Sequence, residues 1–439
     1  MPFQLDPIFA QDPAKHFDTL QIHAGLEPDP TTGAAALPIY ASAAFQFDSA
    51  PDAAAKFALS KPGNVYGRLT NTTTDAVAAR VAAIEGATGA VAVASGHAAE
   101  ILALTNIVGA GDHIVASDSL YGGTWNIFLH TLGDLGVETT FVENNDIDAF
   151  VAATKENTKL WYVETIGNPL VDVADVPAIV EAANSLKEPV PVFVDNTFAT
   201  PYLYRPADDG AAVVIESLTK WIGGHGATLG GAVIDTGKFD WKKTPGKFPT
   251  LTEPDPSYHG LVFADAAPAA PFSTRVLANK LRDFGPTLSP YAAQLIGIGI
   301  ETLSLRAQRH SDNALAVAKY LESHPKVSWV RYSGLENDPS HEVASRILHN
   351  GFGGVVVFGV KGGRDAGLKV VDNVKLFTHL ANVGDAKSLI IHPASTTHSQ
   401  LTPEQLKAAH LTEDLIRLSV GIESVDDIIA DLDQALENA

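Results

Sequence analysis

The sequence predicts an α/β protein: a mostly parallel, seven-stranded sheet wrapped by helices, followed by a smaller α+β domain. The first observation is a series of seven short apolar runs at residues 90–94, 113–116, 137–142, 160–164, 192–195, 213–216 and 231–235. Each has the length and Val/Ile content of a strand buried on both faces. The second is that helical patterns, such as 98–107, 125–135 and 176–186, separate most of them. The third is a change of pattern from Pro286 onward. A long helical stretch, 289–323, is expected to break near His310, and strands follow at 327–331, 354–360 and 416–420, with a closing helix at 425–436. Residues 1–64 are rich in Pro and Asp and read as an extended arm with a little helix. The organisation is therefore an arm (1–64), a large domain (65–285) and a small domain (286–439). Within the large domain, residues 236–272 are rich in Pro, Gly and aromatics and poor in periodicity. A loop of that length is expected to be functional or disordered.

Composition narrows the function. The chain has 439 residues, 46% hydrophobic and 18% charged, the balance of a globular protein large enough for more than one core. Its formal net charge of −21 argues against nucleic acid and acidic membranes as partners, since both are held by clustered Lys and Arg. No run approaches the roughly 18 apolar residues of a membrane span, and the N-terminus lacks a basic region followed by an apolar stretch, so a cytoplasmic protein is expected. There is no cysteine and only the initiating Met, which removes disulfides, thiolate nucleophiles and Cys-ligated metals. None of the 15 histidines has metal-ligand spacing. G-x-S-x-G and G-x-G-x-x-G after a strand are both missing, which disfavours a serine hydrolase and a dinucleotide site.

The chemistry gathers where strands end. Ser217-Leu-Thr219-Lys220 follows the strand at 213–216, at the edge where open α/β sheets place ligands. Two hydroxyls and a lysine in four residues suit a cofactor that carries both a phosphate and an aldehyde, with Lys220 as its covalent anchor. Alone, this motif reads slightly better as a surface lysine in a Gly-rich turn. Asp195 lies 25 residues earlier, at the end of the strand 192–195. A carboxylate there is costly unless it meets a cation, and a pyridinium nitrogen is such a cation. Its bland alternative is a turn-capping Asp, but acid and lysine on neighbouring strand ends favour the joint reading. Ser95-Gly96-His97 opens a helix, whose first N–H groups make an anion site. Here plain capping by Ser95 remains open. Tyr121, in a glycine-bordered turn, has a ring able to stack on a flat cofactor. Tyr66 and Arg68 pair a hydroxyl with a guanidinium fork suited to phosphate. His225, His392 and His398 read as structural.

In this order the motifs resemble the Cys/Met-metabolism family of pyridoxal-phosphate (PLP) enzymes, which have the aspartate-aminotransferase type of fold. Tyr66-x-Arg68, Ser95-Gly96, Tyr121-Gly-Gly-Thr, Glu164-x-x-x-Asn168-Pro169, Asp195-Asn-Thr197, Ser217-x-Thr219-Lys220 and Arg417-Leu-Ser-Val-Gly carry the likeness, from about Thr19 to the C-terminus. The resemblance implies that Lys220 carries PLP, that Asp195 with Thr197 faces its ring nitrogen, and that Tyr121 stacks on the ring and assists protonation near the leaving group. Ser95, Gly96, His97, Ser217 and Thr219 would line the phosphate cup. Tyr66 and Arg68 would enter the phosphate site of a neighbouring subunit, implying a homotetramer of two active dimers. Asn168, Ser388 and Arg417 would receive the substrate's carboxylate.

Two stretches are similar to the O-acetylhomoserine sulfhydrylase branch: residues 237–260, and Asn382-Val-Gly-Asp-Ala-Lys387-Ser388 with 392–400. That branch implies O-acetylhomoserine and sulfide as substrates, with cystathionine γ-synthase or γ-lyase chemistry as the alternative. The near absence of sulfur residues suits a role in sulfur assimilation. Two departures flank the phosphate arm: Thr72 stands where the family usually has Pro, and Gly67 replaces a commoner hydroxyl residue.

Overall fold

The computed structural model describes residues 15–396 and 411–439. His398 and the second half of the 392–400 motif therefore lie outside the described residues. All seven expected strands form: β1 (Gly89–Val93), β2 (His113–Ser117), β3 (Glu138–Val142), β4 (Thr158–Glu164), β5 (Val192–Asp195), β6 (Val213–Glu216) and β7 (Gly231–Asp235). They make one sheet in the order β1-β7-β6-β5-β4-β2-β3. Neighbours pair in parallel except β7, which runs antiparallel to both β1 and β6. Helices cover the two faces, so most strand residues are buried, as near-continuous Val/Ile runs require.

Helix α1 (Thr72–Ile84) is capped by Asn71, whose side chain accepts from the Thr73 N–H at 2.9 Å. Helix α2 (Gly96–Ile107) starts directly after β1, capped by Ser95. The helix expected at 125–135 begins earlier, at Gly122, and passes through a π-helical turn at Ile127–Thr131 before ending at Asp134.

The long C-terminal helical stretch does break, but not near His310. Helix α3 (Pro290–Ile300) ends at Glu301, and α4 (Leu303–Ser323) runs on through His310 without interruption. The break serves the contact between α3 and the turn after Lys220. A Cβ on Gly299 would collide with the Gly223 carbonyl, and the Gly299 carbonyl, at the end of α3, is taken by Arg306 Nη2 at 2.6 Å. His310 sits buried inside α4, its Nδ1 bonded to the Val420 carbonyl.

The smaller domain holds a second sheet: β8 (Val327–Arg331), β9 (Val355–Val360), β10 (Thr378–His379), β11 (Leu389–Ile391) and β12 (Leu415–Ser419), ordered β10-β11-β12-β9-β8. Helices α4, Gly363–Asn373 and Val425–Glu437 pack on it. The short β10 and β11 and the helices His341–Ile347 and Gly363–Asn373 were not legible from periodicity. Among the described residues no helix is long and apolar enough to cross a membrane.

The stretch 236–272 is neither a lid nor a bare loop. It leaves β7 at Asp235, which pairs with Val213 at the start of β6, so it begins at the sheet edge opposite Lys220. It contains short helices, Pro249–Thr252 and Phe263–Ala266, and buries its aromatics against the sheet. Trp241 stacks on Phe272 (ring centroids 5.2 Å apart) and meets Phe248 edge-on at 5.2 Å. The run looked irregular because its apolar residues serve a packed plug rather than one helix face. Trp241→Ala should cost about 3–5 kcal/mol of stability, read as a lower denaturant midpoint. An unchanged midpoint would mean the plug contributes nothing to the core.

Candidate active site

Parallel pairing brings three strand ends together: Glu164 of β4 lies opposite Asp195 of β5, which lies opposite Ile215 of β6. The turn carrying Lys220 begins two residues beyond that register. Thr197 ties the edge together, its N–H donating to Asp195 Oδ1 and its Oγ1 accepting from the Ser217 N–H, both at 2.9 Å. Lys220 and Asp195 therefore share one edge, as expected.

The start of α2 joins them. A Cβ on Gly96 would stand 2.8 Å from the Ser217 Cβ and 3.0 Å from its Oγ, so only glycine lets the helix end approach the Ser217 hydroxyl. Ser95 Oγ caps α2 by accepting from the Ala98 N–H at 3.1 Å, the bland reading of that residue. The first N–H groups of α2 point outward as an anion site. The Thr219 hydroxyl donates to the Gly230 carbonyl (3.1 Å) and accepts from the Gly230 N–H (3.0 Å), closing the turn onto the residue before β7.

His97 stacks on Tyr121, with centroids 5.5 Å apart and planes 28° apart. Gly123 makes room for this, because a Cβ there would collide with the His97 ring. The Tyr121 N–H donates to Glu164 Oε1 at 2.7 Å, while its ring stays exposed. Burial, then the Lys220 charge, lowers the His97 pKa.

Arg417, on β12, is buried and bonds Asn168 Oδ1 at 3.1 Å. Among the described residues no carboxylate pairs with it, and burial pushes its pKa down to about 10. Such an unpaired guanidinium is a ready receptor for a carboxylate. Burial, helped by the Arg417 charge, pushes Lys220 down to about 8, within reach of the free amine at neutral pH. Ser388 sits apart. Its N–H and hydroxyl both donate to Glu423 (2.7 and 3.0 Å), and its Oγ accepts from the Gly421 N–H, so it braces the segment that follows Arg417. Tyr66 and Arg68 also stay apart. Arg68 lies over the Tyr66 ring at 5.3 Å and donates to the Arg282 carbonyl; among the described residues neither bonds to the Lys220 turn.

Sequence reading missed the acids beneath this edge. Glu85, Glu100, Glu164 and Glu216 are all buried. Burial raises all four pKa values, Glu85 to about 7; the Asp195 charge adds to the rise at Glu100, Glu164 and Glu216. Asp195 itself is raised by burial, with Thr197 opposing. Beyond burial, the Glu85 charge raises Glu216 further. Asn196 supports the pair, its Nδ2 donating to Glu85 Oε1 at 3.3 Å. The signal was faint, because Glu216 and Glu85 stand singly within apolar runs.

These acids link stability to pH. A carboxyl whose folded pKa exceeds its ordinary value keeps its proton in the fold and loses it on unfolding, so it withdraws stability as pH rises through that window. For Glu216 the window opens near its ordinary value of 4.5 and extends upward. Glu216→Gln cannot ionise in either state. Its melting temperature should exceed the parent's by more at pH 8 than at pH 5.5, the gain growing by roughly 1.4 kcal/mol per pH unit inside the window. A pH-independent difference would show that Glu216 is not held protonated.

A cofactor with a phosphate, an aldehyde and a ring cation fits this edge. The glycine cradle at Gly96 admits the anion, Lys220 supplies an amine of low pKa, and Asp195 supplies the negative partner. Comparisons with known proteins agree. The chain is 50% identical to the homocysteine synthase of Schizosaccharomyces pombe over 427 residues, covering 97% of this chain and 99% of that protein. It is 48% identical to the O-acetyl-L-homoserine sulfhydrylase of Leptospira meyeri, covering 96% of each. A Campylobacter jejuni structure assigned as an O-acetylhomoserine (thiol)-lyase, which carries N'-pyridoxyl-lysine-5'-monophosphate, superposes with a TM-score of 0.92 at 39% identity, over 96% of this chain and 100% of that one. The family model for Cys/Met metabolism PLP-dependent enzymes matches residues 18–437. A match spanning nearly the whole chain, over a fold that gathers the lysine, the acid and the anion site at one edge, places this protein in the Cys/Met-metabolism family of PLP-dependent enzymes.

Proposed function

We propose that this enzyme replaces the γ-substituent of O-acetyl-L-homoserine with sulfide, giving L-homocysteine and acetate. The observation that carries the amino-acid part of this reading is Arg417, a buried cation with an amide beside it and no carboxylate of its own among the described residues. The names of the relatives at 47–50% identity, homocysteine synthase and O-acetyl-L-homoserine sulfhydrylase, supply the substrate class.

Bound PLP supplies an aldehyde that bonds to amines and a cationic ring that draws electrons from the carbon bearing the substrate's amine. Lys220 would anchor it, the α2 N-terminus with Ser217 would hold its phosphate, Asp195 would face the ring nitrogen and favour its protonated form, and Tyr121 would lie against the ring. Arg417 and Asn168 grip the substrate's carboxylate and so orient its Cα proton. Lys220, with a pKa of about 8, takes that proton; a second proton is then lost from Cβ, whose electrons expel the γ-acetoxy group, and Cβ and Cα regain their protons once sulfide has added. In the net reaction the Cγ–O bond breaks with its electrons leaving on acetate, and a Cγ–S bond forms to sulfide. Sulfide offers almost no binding surface, so discrimination rests on the homoserine ester. Tyr66 and Arg68 support a homotetramer with shared sites: both stand away from the Lys220 turn of their own chain, with Tyr66 exposed. Exposed Tyr291, Leu295 and Ile298 on one face of α3 offer apolar surface for such assembly. A cytoplasmic location suits the reaction.

Two measurements test this reading. Purified enzyme given O-acetylhomoserine and sulfide should release homocysteine and acetate, and Lys220→Ala should abolish turnover. Cystathionine from added cysteine as the main product, or 2-oxobutanoate without homocysteine, would transfer the protein to the γ-synthase or γ-lyase reading. Arg417→Ala should raise KM for the ester by roughly 10²-fold, as expected for a lost buried charge pair. An unaltered KM would remove Arg417 from the carboxylate site.

A further inference from the structure

The ε-amine of Lys220 has a partner that the reaction scheme does not use. Its Nζ donates to Asn382 Oδ1 at 2.6 Å, across 162 positions of sequence, from the large domain to the small one. Asn382 lies in the connection between β10 and β11, and that connection is pressed onto the Lys220 turn at two further points. The Ala386 N–H donates to the Gly224 carbonyl at 3.0 Å. Gly384, with φ +75°, lies so close to Trp221 that a Cβ would stand 2.6 Å from the Trp221 nitrogen. The Gly384 N–H in turn donates to Ser419 Oγ at 2.9 Å, tying the connection to β12. From the other side, Arg306 grips the Trp221 carbonyl at 2.6 Å. Amine and amide are thus held in register by backbone contacts on both sides, so their bond does not rest on two mobile side chains.

We propose that Asn382 is a positioning residue for Lys220: it holds the ε-amine whenever that amine is not bonded to the cofactor, and so presents the base to the substrate from one fixed direction. The inference rests on Lys220 being the cofactor lysine. An amide suits this task because it accepts a hydrogen bond while bringing no charge. The charged and titratable groups facing Lys220 are Arg417 from β12, which with burial disfavours its protonated form, and His97 from α2, whose own pKa is lowered by burial and the Lys220 charge. Asp385, on the same connection as Asn382, turns instead toward Gly226 and Lys387. A carboxylate at position 382 would hold the amine as ammonium and withdraw the base. An apolar residue would leave a four-carbon stem free to swing.

The test uses the wild type, Asn382→Ala and Asn382→Asp, each stripped of PLP and then given it back across a pH series. Capture at Lys220 is trapped with borohydride and located by peptide mapping; kcat and KM are measured on the holoenzymes. Wild-type capture should rise with a midpoint near pH 8. Asn382→Asp should move that midpoint up by about one unit or more, the effect of an opposite charge at hydrogen-bond distance. Asn382→Ala should lower kcat by roughly 10–100-fold with KM within a factor of two, as loss of orientation does. A midpoint in Asn382→Asp equal to wild type, or kcat in Asn382→Ala within twofold of wild type, overturns the proposal. So does a raised KM with unchanged kcat, which would put Asn382 on the substrate. If wild-type Lys220 itself captures no PLP, the cofactor reading fails, a result distinct from any of these.

Discussion

Parallel pairing of β4, β5 and β6 ends three strands at one edge, and that edge gathers more buried acid than it can keep ionised. Glu164, Asp195 and Glu216 arrive on adjacent strands, while Glu85 and Glu100 come from flanking elements. Asp195 accepts the Thr197 N–H and Glu164 the Tyr121 N–H, whereas the Glu216 oxygens have no hydrogen-bond partner among the described residues. Burial raises the pKa of all of these carboxyls, Asp195 included, with the Thr197 bonds working against the rise at Asp195. A cation placed beside Asp195 would favour its ionised form and offset the effect of burial.

The opposite charge comes from the other domain. Arg417 is carried on β12 and lies near enough to Lys220 to depress its pKa, so a lysine that would be ammonium on a surface holds its proton loosely here. The contact between domains is built around glycine. Gly224, Gly299 and Gly384 each occupy a spot where a side chain would strike the neighbouring backbone, a guanidinium or Trp221. This explains why the turn after Lys220 is glycine-rich: it is sandwiched between α3, Arg306 and the connection carrying Asn382. The domain interface is in effect one wall of the site.

The far edge of the sheet is closed by different means. Residues 236–272 leave β7 away from Lys220 and pack their aromatics into the core, and Lys159 at the start of β4 donates to the Lys247 carbonyl. This plug packs the end of the sheet opposite Lys220 and leaves the Lys220 edge uncovered by it.

Much of this was readable in the linear chain. Strand positions followed from Val/Ile runs of strand length separated by helical periods, because a strand buried on both faces has little other composition available to it. Lys220, Asp195 and Gly96 were legible because each stands at a strand end or helix start, where local geometry alone makes an anion or cation site. Tertiary structure decided the rest. The bonds that fix Thr219 to Gly230 and Ser388 to Glu423 were not foreseen, and the break expected near His310 falls at Glu301. In each case the partner is remote in sequence, so no local period announces it. The buried acids and the Lys220–Asn382 bond belong to the same class. Residue type and strand order determine which groups reach the edge, whereas the packing of two domains determines which of them are left with an unfilled hydrogen bond or charge.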